Sequence, residues 1–134
     1  KQCLVGSEMC IRDRVISGDD FTMIDAVRAG ADGIISVAAN AYPSIMNSTY
    51  IQLLYENDKS KPQNISKTKL NSSAFVLNNF FQLIFDEGNP SGIKFALSKL
   101  NLCKEKVRLP LTGISNKLKD KILKFLKKYP ANDL

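Results

Sequence analysis

The stretch GIISVAAN, residues 33–40, decides the fold of this 134-residue chain. It is apolar on both alternating faces and rich in β-branched residues. A strand with one face in water would carry a polar residue at every second position, so this pattern predicts a strand that is covered on both faces. Such strands occur mostly in parallel sheets, whose carboxyl ends hold ligands.

The residues before this stretch predict a second strand and a connecting helix. Residues 15–17, VIS, form a short β-branched strand that stops at a glycine. Asp19 and Asp20 then offer N-cap carboxylates to a helix over about residues 21–29, and Gly30 ends that helix as a C′ residue. Strand, helix and strand together predict one βαβ unit, in which residues 15–17 and 33–37 are parallel neighbours.

Beyond residue 40 the apolar spacing predicts helices and no further strand. Pro43 marks the start of the first helix, whose apolar stripe is patchy. The predicted stripe consists of Ile45, Ile51, Leu54 and Tyr55. Three more helices are predicted over about residues 65–86, 90–100 and 116–129, with an extended stretch around Pro110 before the last one. The predicted inward residues are Leu70, Ala74, Leu77, Phe81, Ile84 and Phe85 in the first of these helices and Ile93, Ala96, Leu97 and Leu100 in the second.

Two covered strands cannot form a complete sheet, because each would leave an edge of unpaired backbone groups. Buried polar groups without partners cost about 1–3 kcal/mol each. A barrel of eight strands and eight helices needs about 250 residues. We therefore predict an α/β fold: a partial TIM barrel, holding the last two βα units in residues 15–58, followed by a carboxyl-terminal helical extension in residues 59–134.

The first 14 residues, KQCLVGSEMCIRDR, show neither a helical nor a strand period. Residues 3–14 resemble a translated sequencing-adapter artefact, so we treat residues 1–14 as a non-native segment. A genuine amino-terminal loop or helix is the alternative. The prediction is that the apolar side chains of this segment are not deeply buried.

Composition narrows the class of protein. Hydrophobic residues make up 44% and charged residues 24% of the chain, which is typical of a soluble globular protein. No apolar run approaches the roughly 20 residues that cross a bilayer, so no membrane partner is expected. Three irregularly spaced cysteines favour a reducing, cytoplasmic location. The absence of histidine and of paired cysteines predicts no metal site.

The net charge of +6 is concentrated in residues 59–69 and 116–128. In the second run, lysines alternate with apolar residues at helical spacing, which predicts an amphipathic helix with a solvated basic face. The predicted apolar face consists of Ile114, Leu118, Ile122, Phe125, Leu126 and Tyr129. No RNA-binding or helix-turn-helix pattern accompanies the charge, so no nucleic-acid partner is expected. A non-enzymatic helical module that binds an acidic partner stays open as an alternative function.

Two stretches carry a resemblance to a known family: VISGDDFTMIDAVRAGADGIISVAANAYP, residues 15–43, and GNPSGIKFALSKLNLCKEKVRLPLTGIS, residues 88–115. In order and spacing they resemble the carboxyl-terminal part of the dihydrodipicolinate synthase and N-acetylneuraminate lyase family. The resemblance implies a TIM barrel with a three-helix extension and a class I aldolase that uses no cofactor. It also implies that a lysine forms an imine with pyruvate, which then attacks aspartate semialdehyde, in a homodimer or homotetramer.

The resemblance also assigns roles to residues. The family's lysine, tyrosine and threonine precede the SGDD turn, and Lys1 is the only lysine among the first 58 residues. This implies that the chain holds no catalytic residue and is inactive alone. Ile35 is implied to contact pyruvate and Gly18 to line the same pocket, whereas plain packing is the structural alternative for both. Asn40 and Asp19 are weaker candidates, since each can serve as a helix cap.

One alternative keeps the fold and the imine chemistry and changes the second substrate, as in N-acetylneuraminate lyase. The tail VRLPLTGIS, residues 107–115, resembles the synthase more closely.

Overall fold

The computed structural model describes residues 14–57 and 67–131. Their elements are β1 (Ile16–Ser17), α1 (Met23–Arg28), β2 (Gly33–Ile34), a 3₁₀ turn (Ala38–Asn40), α2 (Pro43–Asn57), α3 (Lys67–Phe85), α4 (Ser91–Lys99) and α5 (Asn116–Lys128). The two strands pair in parallel, and no third strand joins them within the described ranges. The predicted βαβ unit and helical remainder are therefore confirmed. The prediction for residues 1–14 lies outside the described residues, apart from residue 14.

β2 is shorter than the strand predicted over residues 33–37. Pairing extends one residue past it, because the N–H of Ile35 donates to the carbonyl oxygen of Ser17 at 2.8 Å. Val37 is already helical, with φ −70° and ψ −43°. The N–H groups of Val37 and Ala38 both donate to one carboxylate oxygen of Asp20, at 3.1 Å each. These two bonds turn the chain into the 3₁₀ segment, so the prediction of a longer strand was wrong.

Within the described residues, only one face of the two-stranded sheet is covered. Ile34 is half-buried and packs against the hydrophobic core. Successive strand residues point to opposite faces, so Ile35 lies on the other side of the sheet, where it is 71% exposed. Ile16 is 51% exposed. Helix packing on one side of a two-stranded sheet leaves the opposite side without a neighbour in the described structure.

α1 begins at Met23, two residues later than predicted, and neither predicted aspartate caps it. Instead the carboxylate of Asp19 accepts hydrogen bonds from the N–H of Phe21 at 3.2 Å and the hydroxyl of Thr22 at 3.0 Å. These bonds close a turn before the helix starts. The predicted end is confirmed: Gly30 has φ +101°, and its N–H and that of the next residue close a Schellman motif on the last turn.

α2 buries a stripe that differs from the predicted one. Its buried positions lie on one face of the helix: Ile45, Met46, Thr49 and Leu53. Ile51, Leu54 and Tyr55 are substantially exposed, so that part of the prediction was wrong. The apolar residues of α2 are compatible with two inward faces. The face that contains Leu53 is buried, because Leu53 packs with Val27 of α1 and Leu70 of α3.

The last three helices largely match the predicted faces. α3 and α4 additionally bury Phe80 and Phe95, which the predicted stripes left out. α3 and α4 approach closely at Gly92, where an added Cβ would lie 2.2 Å from the carbonyl oxygen of Ile84. α5 begins after Ser115, whose hydroxyl oxygen accepts the N–H of the third helical residue at 3.2 Å. The predicted amphipathic basic helix is confirmed.

Candidate functional site

Gly18 and Ile35 lie beside each other at the carboxyl ends of the two parallel strands. Each directly follows its strand, and the hydrogen bond from Ile35 to Ser17 joins the two chain segments at this point. A Cβ added to Gly18 would meet no atom within 4 Å. We call Gly18 and Ile35 the strand-end surface. It is open and partly apolar.

Asp20 connects the two loops that leave the strands. Its side chain comes from the loop after β1 and is only 2% exposed, while the two N–H groups that it accepts belong to the loop after β2. The other carboxylate oxygen is buried without a hydrogen-bond partner in the described structure. Sequence reasoning gave Asp20 only the role of a helix cap, because its partners lie 17 and 18 residues away.

The two weaker candidates are occupied locally. Asp19 uses both carboxylate oxygens in the turn before α1. The side-chain amide of Asn40 donates to the carbonyl oxygen of Val37 at 3.0 Å, within the 3₁₀ turn. That bond does not reach α2, the helix that Asn40 was expected to cap. Both residues serve local backbone structure here.

Two tyrosine hydroxyls near the strands donate hydrogen bonds to backbone carbonyl oxygens. Tyr42 is buried and donates to the carbonyl oxygen of Tyr129 at 2.7 Å, and burial raises the pKa of Tyr42 to about 12. Tyr50 donates to the carbonyl oxygen of Asp32 at 2.6 Å. Because Tyr42 holds its proton so strongly, it is a poor proton shuttle at neutral pH. Tyr42 therefore serves to tie the loop after β2 to the end of α5.

Residues 14–57, which hold both strands and the loops that follow them, contain no lysine. Lys94 lies on α4, and its ammonium group donates to the carbonyl oxygen of Lys106 in the following loop. The structure thus keeps Lys94 within the helical extension. Among the residues described, no cluster of acidic residues or cysteines could hold a metal ion. No described helix is long and apolar enough to cross a membrane.

A parallel βαβ unit with an open strand-end surface and a helical continuation defines an α/β protein of the kind that binds ligands where its strands end. The model of the dihydrodipicolinate synthetase family matches residues 7–129. The chain belongs to this family. The match begins inside the amino-terminal segment that we treat as non-native, whose assignment stays a prediction.

Individual relatives agree with the family match. The 4-hydroxy-tetrahydrodipicolinate synthase of Karelsulcia muelleri is 41% identical over 108 residues, which are 81% of this chain and 33% of that protein. The enzyme of the same name from Aquifex aeolicus is 34% identical over 86% of this chain and 36% of its own length. The chain therefore spans about a third of the length of the curated relatives it matches.

A solved structure shows the same arrangement. The crystal structure of dihydrodipicolinate synthase from Aquifex aeolicus superimposes with a TM-score of 0.74 at 31% identity, covering 87% of this chain and 36% of that one. The similarity thus extends over nearly all of this chain and a limited part of the solved enzyme.

Proposed function

We propose that this chain is the carboxyl-terminal part of a TIM-barrel aldolase that condenses pyruvate with aspartate semialdehyde to 4-hydroxy-tetrahydrodipicolinate, in lysine and diaminopimelate biosynthesis. The observation that carries the proposal is the juxtaposition of Gly18 and Ile35 at the ends of two parallel strands of a chain in this family. Strand ends are where barrel enzymes bind their substrates.

Each residue of the strand-end surface has a role in this proposal. Ile35 presents an apolar side chain to the methyl group of pyruvate. Gly18 leaves room for the substrate, since the space around its Cα is open. Asp20 is a positioning residue, because it ties the loop after β1 to the loop after β2 and so fixes the spacing of the two strand ends.

The chemistry of the proposed reaction needs a lysine whose amine is neutral enough to attack a ketone. Such a lysine requires a desolvated pocket, since its ordinary pKa is about 10.4. The proposal assigns the imine-forming lysine, the tyrosine and the threonine to sequence upstream of residue 15, in the part of the relatives that this chain does not match. The proposed enzyme uses no cofactor, is located in the cytoplasm and is a homodimer or homotetramer.

Borohydride trapping tests the proposal. Attack of the lysine on pyruvate releases water and forms a C=N bond, which borohydride reduces to a stable secondary amine. The enzyme encoded by the complete reading frame should gain one carboxyethyl group per chain in intact-mass spectra. The 134-residue chain treated in the same way should gain none. A single saturable adduct on this chain would contradict the assignment of the lysine to upstream sequence.

A substrate comparison on the complete enzyme separates the synthase from the lyase. We expect turnover of pyruvate with aspartate semialdehyde and none with N-acetylmannosamine.

Gly18→Val should raise the KM for pyruvate, because the new side chain occupies the open strand-end surface. Gly113→Val is the matched control, since an added Cβ there also meets no atom within 4 Å but lies in the loop before α5. Equal effects of the two substitutions on the KM for pyruvate would contradict the role of Gly18 in the site.

A further inference from the structure

A groove runs between α3 and α5, and none of the residues that line it belongs to residues 14–57. It consists of two adjoining cavities of about 380 and 560 Å³ that share Phe75 and Tyr129. We call it the α3–α5 groove. Its lining residues are Asn71, Ser72, Phe75, Val76, Asn79, Gln82, Leu83, Lys121, Lys124, Phe125, Lys128 and Tyr129.

The two walls of the groove differ in charge. Lys121, Lys124 and Lys128 follow one wall at a helical spacing of three and four, whereas α3 contributes the neutral amides of Asn79 and Gln82. No acidic residue lines either cavity. Lys124 and Lys128 have no ion-pair partner in the described part of the chain. Lys121 lies 3.7 Å from the carboxylate of Asp86, so the unpaired positive charge on this side of the groove comes from Lys124 and Lys128.

An aromatic side chain lies between the two cavities. Phe75 is 65% exposed, although it belongs to a long helix whose other phenylalanines are largely covered. Leu83 and Phe125 give the groove an apolar surface beside it. Exposed apolar groups rimmed by charge are typical of interaction surfaces. A ligand of this groove must combine an apolar contact for Phe75 with negative charge for the lysines.

We propose that the α3–α5 groove binds an acidic amphipathic helix of a partner protein. The lysine wall from Lys121 to Lys128 spans seven residue steps, about 10 Å along the helix axis. Acidic residues two turns apart on a partner helix span the same distance, while its apolar face covers Phe75. This is the helix-in-groove mode of recognition. The inference does not depend on the proposed function, because the groove shares no residue with the strand-end surface.

Two other occupants fit the groove less well. A symmetric pair of copies would bring the lysine walls of both into one interface without an acidic lining residue, since both partners of a two-fold interface use the same patch. Like charges would then repel. Single-stranded nucleic acid binds to platforms of several stacked aromatic rings. Here Phe75 is the exposed ring, whereas Phe125 is buried and stacks on Phe80 at 5.3 Å between ring centroids.

Fluorescence anisotropy with a labelled probe peptide tests the proposal. The probe is a helix of about 15 residues with leucine and phenylalanine on one face and glutamate on the flanks. It is titrated with the 134-residue chain. Lys124→Glu combined with Lys128→Glu should weaken binding about tenfold. Lys117→Glu combined with Lys127→Glu is the matched control: the same charge change on exposed positions of α5 outside the groove, expected to cost less than about threefold.

A second variant addresses the apolar contact. Phe75→Ser keeps the charge of the groove and changes an exposed side chain, so circular dichroism should show unchanged helicity while binding of the probe weakens. A scrambled peptide of the same composition should bind weakly. The proposal is overturned by absence of probe binding, by equal binding of the scrambled peptide, or by equal losses in the two lysine pairs. Tighter binding of a thymidine oligonucleotide, or self-association through the groove, would overturn it as well.

Discussion

At the scale of single residues, one carboxylate organises the start of α5. Glu87 accepts the N–H of Ser115 at 2.6 Å and also accepts its hydroxyl. In a capping box this carboxylate comes from the third residue of the same helix, but here that position is Leu118. Glu87 is supplied from the turn after α3 instead. The hydrogen bonds from Ser115, helped by Lys121, hold the pKa of Glu87 below its usual 4.5.

Glu87→Gln should make the melting temperature lower at neutral pH and less sensitive to acid. Because the folded state depresses the pKa of Glu87, its contribution is complete well above pH 4.5 and disappears as pH falls through the lower, folded value. Thermal melts between pH 7 and 3 measure this. Glu105→Gln is the control, since that carboxylate forms only an exposed ion pair with Lys119. Parallel pH profiles for wild type and Glu87→Gln would contradict the prediction.

At the scale of elements, the crossing of α3 and α4 depends on one glycine. The backbone of Ile84 lies so close to Gly92 that a Cβ would come within 2.2 to 2.9 Å of three of its atoms. Such distances are below any van der Waals contact, and the atoms belong to a helix backbone that cannot rotate away. The two helices therefore pack at this spacing only because residue 92 has no side chain.

Gly92→Ala should lower the free energy of unfolding by about 1–3 kcal/mol, the usual cost of overpacking a core. This outweighs the gain of less than about 1 kcal/mol that alanine brings to a helix. Gly113→Ala, in an open loop, should change stability by less than about 0.5 kcal/mol. Urea unfolding followed by circular dichroism compares the two. A midpoint for Gly92→Ala at or above that of the wild type would show that the helices can move apart without cost.

At the scale of the whole molecule, one hydrophobic cluster joins the βα segment to the helical extension. Met23 and Tyr42 pack in the same cluster as Phe80, Ile93 and Ile122. The sheet contributes little to this cluster. Described residues do not cover the outer face or the edges of the sheet. Unpaired strand edges and exposed apolar residues favour association between chains.

We therefore expect the 134-residue chain to self-associate at about 100 micromolar. Ile16→Lys should reduce the association, because charge on an exposed strand edge opposes pairing. Leu109→Lys, at a residue that is 90% exposed in the loop before α5, should leave it unchanged. Sedimentation velocity distinguishes these outcomes. A monomer at all concentrations would contradict the prediction.

The sequence by itself determined the parallel βαβ unit, the helical remainder, the Gly30 helix end and the basic amphipathic α5. These features depend on the period of apolar residues and on turn chemistry, which are encoded within a few residues of where they act. The closeness of Gly18 and Ile35 also followed, since parallel strands end at the same edge.

Only the tertiary structure decided where β2 ends, which face α2 buries and how α5 is capped. The bonds from Asp20 to the loop after β2 span 17 and 18 residues, and those from Glu87 to Ser115 span 28. The approach of Gly92 to Ile84 depends on how two helices cross. Contacts of this kind are set by the packing of separate elements, and a local pattern of residues does not specify which distant group will lie nearby.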